Sequence, residues 1–290
     1  MTSRKRAKLE PLASPPSLAA FSTPVFDGPR VAAKSDERLF IYSVEKALRI
    51  LYAFNEADRA LSIASIAKIT GFGRSATQRF VYTLEQLRYL RRDPATRLYS
   101  LTPRVLDFAL SYLGSDPLVA IATRHMSEAS DKCGEAFSLT ENDDIENVVV
   151  ARVPSSRHPI SVNSSLGMRF PAFCTAPGRA IMAFQPEEQA LDIIDRTDRK
   201  PLTEHTITDR KALIALLAQA RESGYAIAEQ EIIPGAISVA APLFDVTHRV
   251  VGAVNTFVPM ARWPRKRAEK ELVPVVRQTA YDLSRSLGTR

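Results

Sequence analysis

Cysteine is nearly absent: Cys133 and Cys174 are the two in 290 residues, and no Cys-x-x-Cys pair occurs. That argues against a disulfide framework and against a structural zinc site built on thiolates. Long apolar runs are missing too; none approaches the ~18 residues needed to cross a bilayer. The basic start of the chain (Arg4, Lys5, Arg6, Lys8) lacks the apolar stretch of a signal peptide. A cytoplasmic protein with no membrane partner is expected. Histidine is sparse: His125, His158, His205 and His248 are the four, and none sits in a Gly-x-Ser-x-Gly elbow or a His-Glu-x-x-His helix. No metal, no cofactor and no catalytic residue is expected. The enzymatic alternative is a thiol nucleophile pairing Cys174 with a distant histidine, and no sequence feature joins the two.

With 45% hydrophobic and 24% charged residues, the chain has the composition of a globular protein large enough for two cores. Its charge of +7 is unevenly spread: +3 over residues 1–40, +5 over 41–114 and −1 over 115–290. A short basic module followed by a long neutral one implies that the first part meets a polyanion.

Residues 1–38 hold Pro11, Pro15, Pro16, Pro24 and Pro29 among serines and alanines, without helical or strand period, and read as a disordered basic arm. Val44, Ala47, Leu48, Ile50, Leu51 and Phe54 then recur at helical spacing, with Ser43 as the expected N-cap. A second, short helix is expected from Ser62, with Ile63, Ile66 and Ile69 as its apolar face. Thr70-Gly71-Phe72-Gly73 stops it, because glycine tolerates left-handed turn geometry. A third helix is expected over Arg74–Leu90. Two short extended runs around Asp93-Pro94-Ala95-Thr96 predict a hairpin. Together these make a winged helix-turn-helix, whose third helix presents its first turns to the major groove. The candidate DNA-binding residues are Ser62, Arg74, Ser75, Thr77, Gln78, Arg79 and the wing residue Arg97. By donor and acceptor geometry Gln78 suits adenine and Arg79 suits guanine, while Ser75 and Thr77 suit phosphate.

Pro103 opens a linker helix with Leu106, Phe108 and Leu110, ending at Gly114-Ser115. Beyond it, a helix over Pro117–Lys132, strands over 135–140, 147–153 and 158–163, a loop over 169–178, helices over 179–184, 186–196 and 209–223, strands over 225–228, 236–244 and 250–258, and a last helix over 264–287 are expected. Their segregation implies an α+β domain around an antiparallel sheet. The division is therefore an arm (1–38), a DNA-binding domain (39–102), a linker helix (103–115) and a domain (116–290) for a small-molecule effector and for oligomerisation.

Five segments in order resemble the IclR family of regulators. They are Ser43-Val44-Glu45-Lys46-Ala47-Leu48-Arg49-Ile50-Leu51; Arg74 through Leu84; the wing with Asp93, Arg97 and Tyr99-Ser100-Leu101; Arg169-Phe170-Pro171-Ala172-Phe173-Cys174-Thr175-Ala176-Pro177-Gly178-Arg179-Ala180; and Glu229-Gln230-Glu231 through Leu243. The likeness spans about residues 39–288 and is nearest the PcaR/PobR-like branch, regulators of aromatic-acid catabolism. Ile237 departs from that branch, which often has a basic residue before the serine of the late strand. The resemblance implies a GAF- or profilin-like second domain and a homodimer or tetramer on double-stranded operator DNA. It also implies an effector, a carboxylate, held by Val162, Phe170, Thr175, Ala176, Ala236, Ser238, Asn255 and Phe257. Phe170 and Phe257 would supply apolar walls. Ser238, Asn255 and the backbone N–H groups of 176–178 at a helix start would take the carboxylate. A ligand-independent architectural DNA-binding protein is the remaining alternative, and the long neutral second domain speaks against it.

Overall fold

In a computed structural model of the chain, residues 38–288 are described apart from 56–57, 116, 156 and 159–164. Almost all of the proline-rich arm, most of the strand expected over 158–163, and Val162 lie outside the described residues.

The N-terminal unit is built by local signals. Helix α1 (Tyr42–Tyr52) starts after Ile41, which offers no side-chain cap, so the expected cap at Ser43 is wrong: Ser43 already lies inside the first turn. Helix α2 (Ile63–Thr70) is capped by the Ser62 hydroxyl, which accepts from the Ser65 N–H at 3.0 Å, and it stops at Gly71 with φ +73°. Helix α3 (Arg74–Gln86) ends four residues sooner than expected, since Arg88 turns left-handed (φ +64°) to feed strand β1 (Leu90–Arg92). Strand β2 (Tyr99–Leu101) pairs antiparallel with β1, Arg92 facing Tyr99. The turn between them is held by the Asp93 carboxylate, which accepts from the N–H groups of Ala95 and Thr96, both at 2.8 Å. Those bonds hold the Asp93 carboxyl below the usual range. Leu61 and Tyr99 exchange backbone bonds of 2.9 and 2.8 Å, tying the wing to the start of α2. Ile50, Ile66, Val81, Leu84, Leu90 and Tyr99 form the buried core of this unit.

A 3-10 turn (Pro103–Val105) leads into the linker helix α4 (Leu106–Ser115), and α5 (Pro117–Cys133) follows. Six strands then form an antiparallel sheet in the order β5-β4-β3-β8-β7-β6. They are β3 (Phe137–Asp143), β4 (Glu146–Val153), β5 (Arg169–Pro171), β6 (Ala226–Glu229), β7 (Ala236–Phe244) and β8 (Val250–Pro259). The connection between the strands expected over 135–140 and 147–153 is tighter than those bounds imply, because Glu141, Asn142 and Asp143 continue β3 and only Asp144 (φ +58°) and Ile145 reverse the chain.

Helices α6 (Ala176–Met182), α7 (Glu187–Arg196) and α8 (Arg210–Ser223) accompany one face of the sheet. The other face packs against α5 and the C-terminal helix. That last helix is not uniform: α9 (Arg265–Arg267), a π-helical stretch (Ala268–Leu272) and α10 (Val273–Ser286) follow one another. Alternation along β7 sorts its side chains: Ile237, Val239 and Leu243 join the α5/α10 core, while Ala236 and Ala240 join the α6–α8 core. Among the described residues no single helix is long and apolar enough to cross a membrane.

Candidate functional site

Two regions of chemistry stand out, one on α3 and one on the sheet. On α3, Arg74, Ser75, Gln78 and Arg79 are all exposed, and Tyr82 and Thr83 extend the same polar surface by one turn. Arg74 and Gln78, like Ser75 and Arg79, are four residues apart and so share a face. Arg97 stands exposed at the wing turn with φ +63°. Two expectations need correction here. Thr77 is fully buried, and its hydroxyl donates to the Gly73 carbonyl at 3.1 Å; it fastens the helix start and faces the core, away from any phosphate. Ser62 is half-buried with its hydroxyl committed to the cap of α2.

The sheet face beneath α6 forms an open cavity; about 530 Å³ of empty space lies within it, part of it continuous with solvent. Phe170, Thr175, Ala236, Ser238, Asn255 and Phe257 all line it. Ala176 does not: it is fully buried in the first turn of α6, and Pro177 takes the place on the wall. The start of α6 is likewise not open to an anion at Gly178, whose N–H already donates to the Thr175 hydroxyl at 3.1 Å. Ile237, the departure from the branch pattern, points into the opposite core and touches no part of this wall.

Side chains that the sequence reading passed over complete the cavity. Thr140 of β3 donates to Asn255 Oδ1 at 2.9 Å, which fixes the Asn255 amide and leaves its NH2 free to donate. Asn147 of β4 lies 2.6 Å from the Thr175 hydroxyl through its Nδ2. Gly178 makes this contact possible, since a Cβ there would sit 2.2 Å from the Ala172 carbonyl oxygen and 2.6 Å from Asn147 Nδ2. Glu231 closes one wall, but its charge is already met. Arg179 grips it through two nitrogens at 2.5 and 2.6 Å, and the Ile207 N–H adds a third bond at 3.1 Å. Both side chains of this pair are almost wholly buried. A lone amide in the run Asn147-Val148-Val149-Val150, and an acid directly before Ile232-Ile233-Pro234, were the signals available for these residues.

Cys174 is fully buried beside the cavity without lining it. Burial pushes its thiol up to about 12, so it stays protonated near neutrality. None of the four histidines lines the cavity.

Residues 43–94 match the IclR helix-turn-helix domain, and residues 110–285 match the C-terminal domain of the bacterial transcriptional regulator IclR. The chain belongs to the IclR family. It is 33% identical over 276 residues to the Pca regulon regulatory protein of Pseudomonas putida, covering 94% of each chain. It is 30% identical over 250 residues to the p-hydroxybenzoate hydroxylase transcriptional activator of Acinetobacter baylyi, covering 84% of this chain and 91% of the other. Among solved structures, a transcriptional regulator from Rhodococcus sp. RHA1 superposes with a TM-score of 0.74 at 33% identity, over 86% of this chain and 99% of that one. This IclR protein thus falls in the PcaR/PobR-like branch and is a DNA-binding transcriptional regulator rather than an enzyme.

Proposed function

We propose that this regulator reads its operator through Arg74, Ser75, Gln78 and Arg79, with Arg97 of the wing on the phosphate backbone, and that an aromatic carboxylate in the sheet cavity controls the binding. The observation that carries the first half is the exposed strip on α3, to which a groove of duplex DNA can come close. Gln78 reads adenine and Arg79 guanine by bidentate hydrogen bonds; Ser75 and Arg97 position the helix on phosphates.

The working unit is a cytoplasmic homodimer, two of which can pair as a tetramer, on a nearly palindromic duplex with half-sites about 34 Å apart. Ile41, just before α1, and Val44, Leu48 and Tyr52 on it leave an exposed apolar stripe, and Leu106 and Leu110 share an exposed face of α4. Stripes of this kind mark a protein contact. The functional division follows the sequence: DNA reading over 39–102, a linker over 103–115, effector binding and oligomerisation over 116–290.

For the effector, the cavity sets apolar walls beside a few convergent polar side chains, the character usual for small-molecule sites. Phe170 and Phe257 offer apolar walls and the Asn255 NH2 offers a donor, while the Ser238 hydroxyl donates to the Thr256 carbonyl at 3.3 Å and has only its lone pairs to offer. No cation lines the cavity among the described residues, and Arg179 beside it is neutralised by Glu231, so a carboxylate rests here on neutral donors. The relatives named for the Pca regulon and for p-hydroxybenzoate hydroxylase support the aromatic class. An IclR homologue from Microbacterium hydrocarbonoxydans, alike in fold (TM-score 0.72, 22% identity), was crystallised with 4-hydroxybenzoate. Thermal unfolding against protocatechuate, 4-hydroxybenzoate and aliphatic acids tests the reading. A ligand at ~100 times its Kd adds about 2.7 kcal/mol of stability. No shift with any aromatic acid at millimolar concentration, in protein that still binds its operator, would overturn the effector class.

A further inference from the structure

We propose that Glu141 and Tyr112 form the mechanical link between the cavity and the DNA-reading unit: occupancy of the cavity moves strand β3, and β3 moves the linker helix through the hydrogen bond that Tyr112 donates to Glu141. The inference rests on the reading of the cavity as the effector site and says how that site acts at a distance.

Four observations meet at one point of the sheet. Thr140 lines the cavity and is bonded to Asn255 on the cavity wall. Glu141, the next residue, belongs to the opposite side of the strand by the alternation of side chains. Its carboxylate receives the hydroxyl of Tyr112, two turns into α4. The pairing of β3 with β4 slips between Leu139 and Thr140, so the strand is irregular immediately before these two residues. Across from them, β8 approaches so closely that a Cβ on Gly252 would lie 2.9 Å from the Thr140 carbonyl oxygen and 3.6 Å from Glu141 Cγ. A bulge locally increases twist and re-aims side chains. A ligand that draws on Thr140 or Asn255 therefore turns Glu141 on the other side, with close-packed backbone at Gly252 leaving no room for independent movement. Coupling requires such an element with two arrangements, each favoured by a different site.

A double-mutant cycle tests the link without knowledge of the natural ligand. The cavity is filled from within by Ala236→Leu, with Ala228→Leu as a second version, because both alanines lie on its wall. Each filling change is made in the full-length protein alone and together with Tyr112→Phe or Glu141→Leu, either of which removes the bond. DNA affinity is measured by fluorescence anisotropy on a duplex that the protein has itself selected from a random pool. Thermal midpoints confirm folding. Allosteric coupling factors run from about 5- to 150-fold, and filling the cavity is expected to change DNA affinity by a factor in that range. In the Tyr112→Phe and Glu141→Leu backgrounds the change is expected to fall to less than a third of that factor. An unaltered factor in both backgrounds overturns the link, as does an unchanged DNA affinity in both filled proteins. Calorimetric titration of the wild-type protein with protocatechuate, 4-hydroxybenzoate and other aromatic acids judges the effector class separately: absence of binding to all of them removes that class and leaves the coupling measured by the cycle unaffected.

Discussion

Replacing Arg179 with methionine isolates the most demanding electrostatic arrangement in the second domain. The guanidinium holds Glu231 through two nitrogens and also donates to the Phe173 carbonyl at 2.9 Å. Relative exposures of 2% and 3% leave neither partner reachable by water. In Arg179→Met the carboxylate keeps only the Ile207 N–H among these contacts. Removing one member of a buried pair costs about 3–5 kcal/mol, because the other charge is left uncompensated. For a domain of this size each kcal/mol lowers the midpoint by roughly 2–4 °C, so a drop of about 6–20 °C is expected. Trp263, the single tryptophan, lies buried in the second domain and reports its unfolding alone. Urea titration followed by Trp263 fluorescence gives the loss directly. The double change Arg179→Met with Glu231→Leu removes both charges and should recover much of the stability. A loss below about 1 kcal/mol in the single variant, or no recovery in the double one, would refute the argument that this pair is a closed electrostatic unit.

Three further outcomes are expected. Gln78→Ala and Arg79→Ala should each weaken binding to the selected duplex by about 1–3 kcal/mol and relax specificity at one base pair, with thermal midpoints unchanged; competition assays with single-base variants of the duplex check this. Gly178→Ala should destabilise the second domain by about 1–3 kcal/mol through overpacking against the Ala172 carbonyl, measured by the same tryptophan signal. Cys174 should resist thiol reagents in the folded protein at pH 8 and react once the chain is unfolded. Its folded value, about 12, lies above the ordinary 9.0. The stability linked to it is therefore complete below pH 9 and is lost as the pH rises from there toward 12. Rapid labelling of native protein would show that the thiol is accessible after all.

The winged helix was legible because its signals are local. Ser62, Gly71 and Asp93 each act on backbone within three residues of themselves, so composition and order reveal them. Thr77 was misplaced for a related reason: a threonine between exposed polar neighbours looks like surface, and only the packing of α3 shows it turned inward. The cavity was read in part. Ser238, Asn255 and Phe257 were named from the family resemblance, and in the structure Asn255 and Phe257 stand two apart on β8 with Phe257 facing Ser238, so they share one face. Thr140, Asn147 and Glu231 could not be placed in that way. Their roles come from strand order, which puts β3 beside β8 and β4 beside β5, and from a pairing between Arg179 and Glu231 separated by 52 residues. The loop expected over 169–178 hid a strand, a 3-10 turn and a helix start, because three-residue elements are too short for any period to show.

The small side chains on the cavity side of the sheet bear on how such a receptor changes its diet. Ala228 and Ala236 shape the wall, and Ala240 and Ala253 are buried on the same side of the sheet. Strand pairing depends on backbone, so these positions can accept a larger or smaller side chain without disturbing the order of the strands. Room for the guest is thus adjustable one methyl at a time, while the turn, wing and recognition helix stay as they are. A new effector preference can arise by point substitution in a scaffold whose DNA-reading unit is kept.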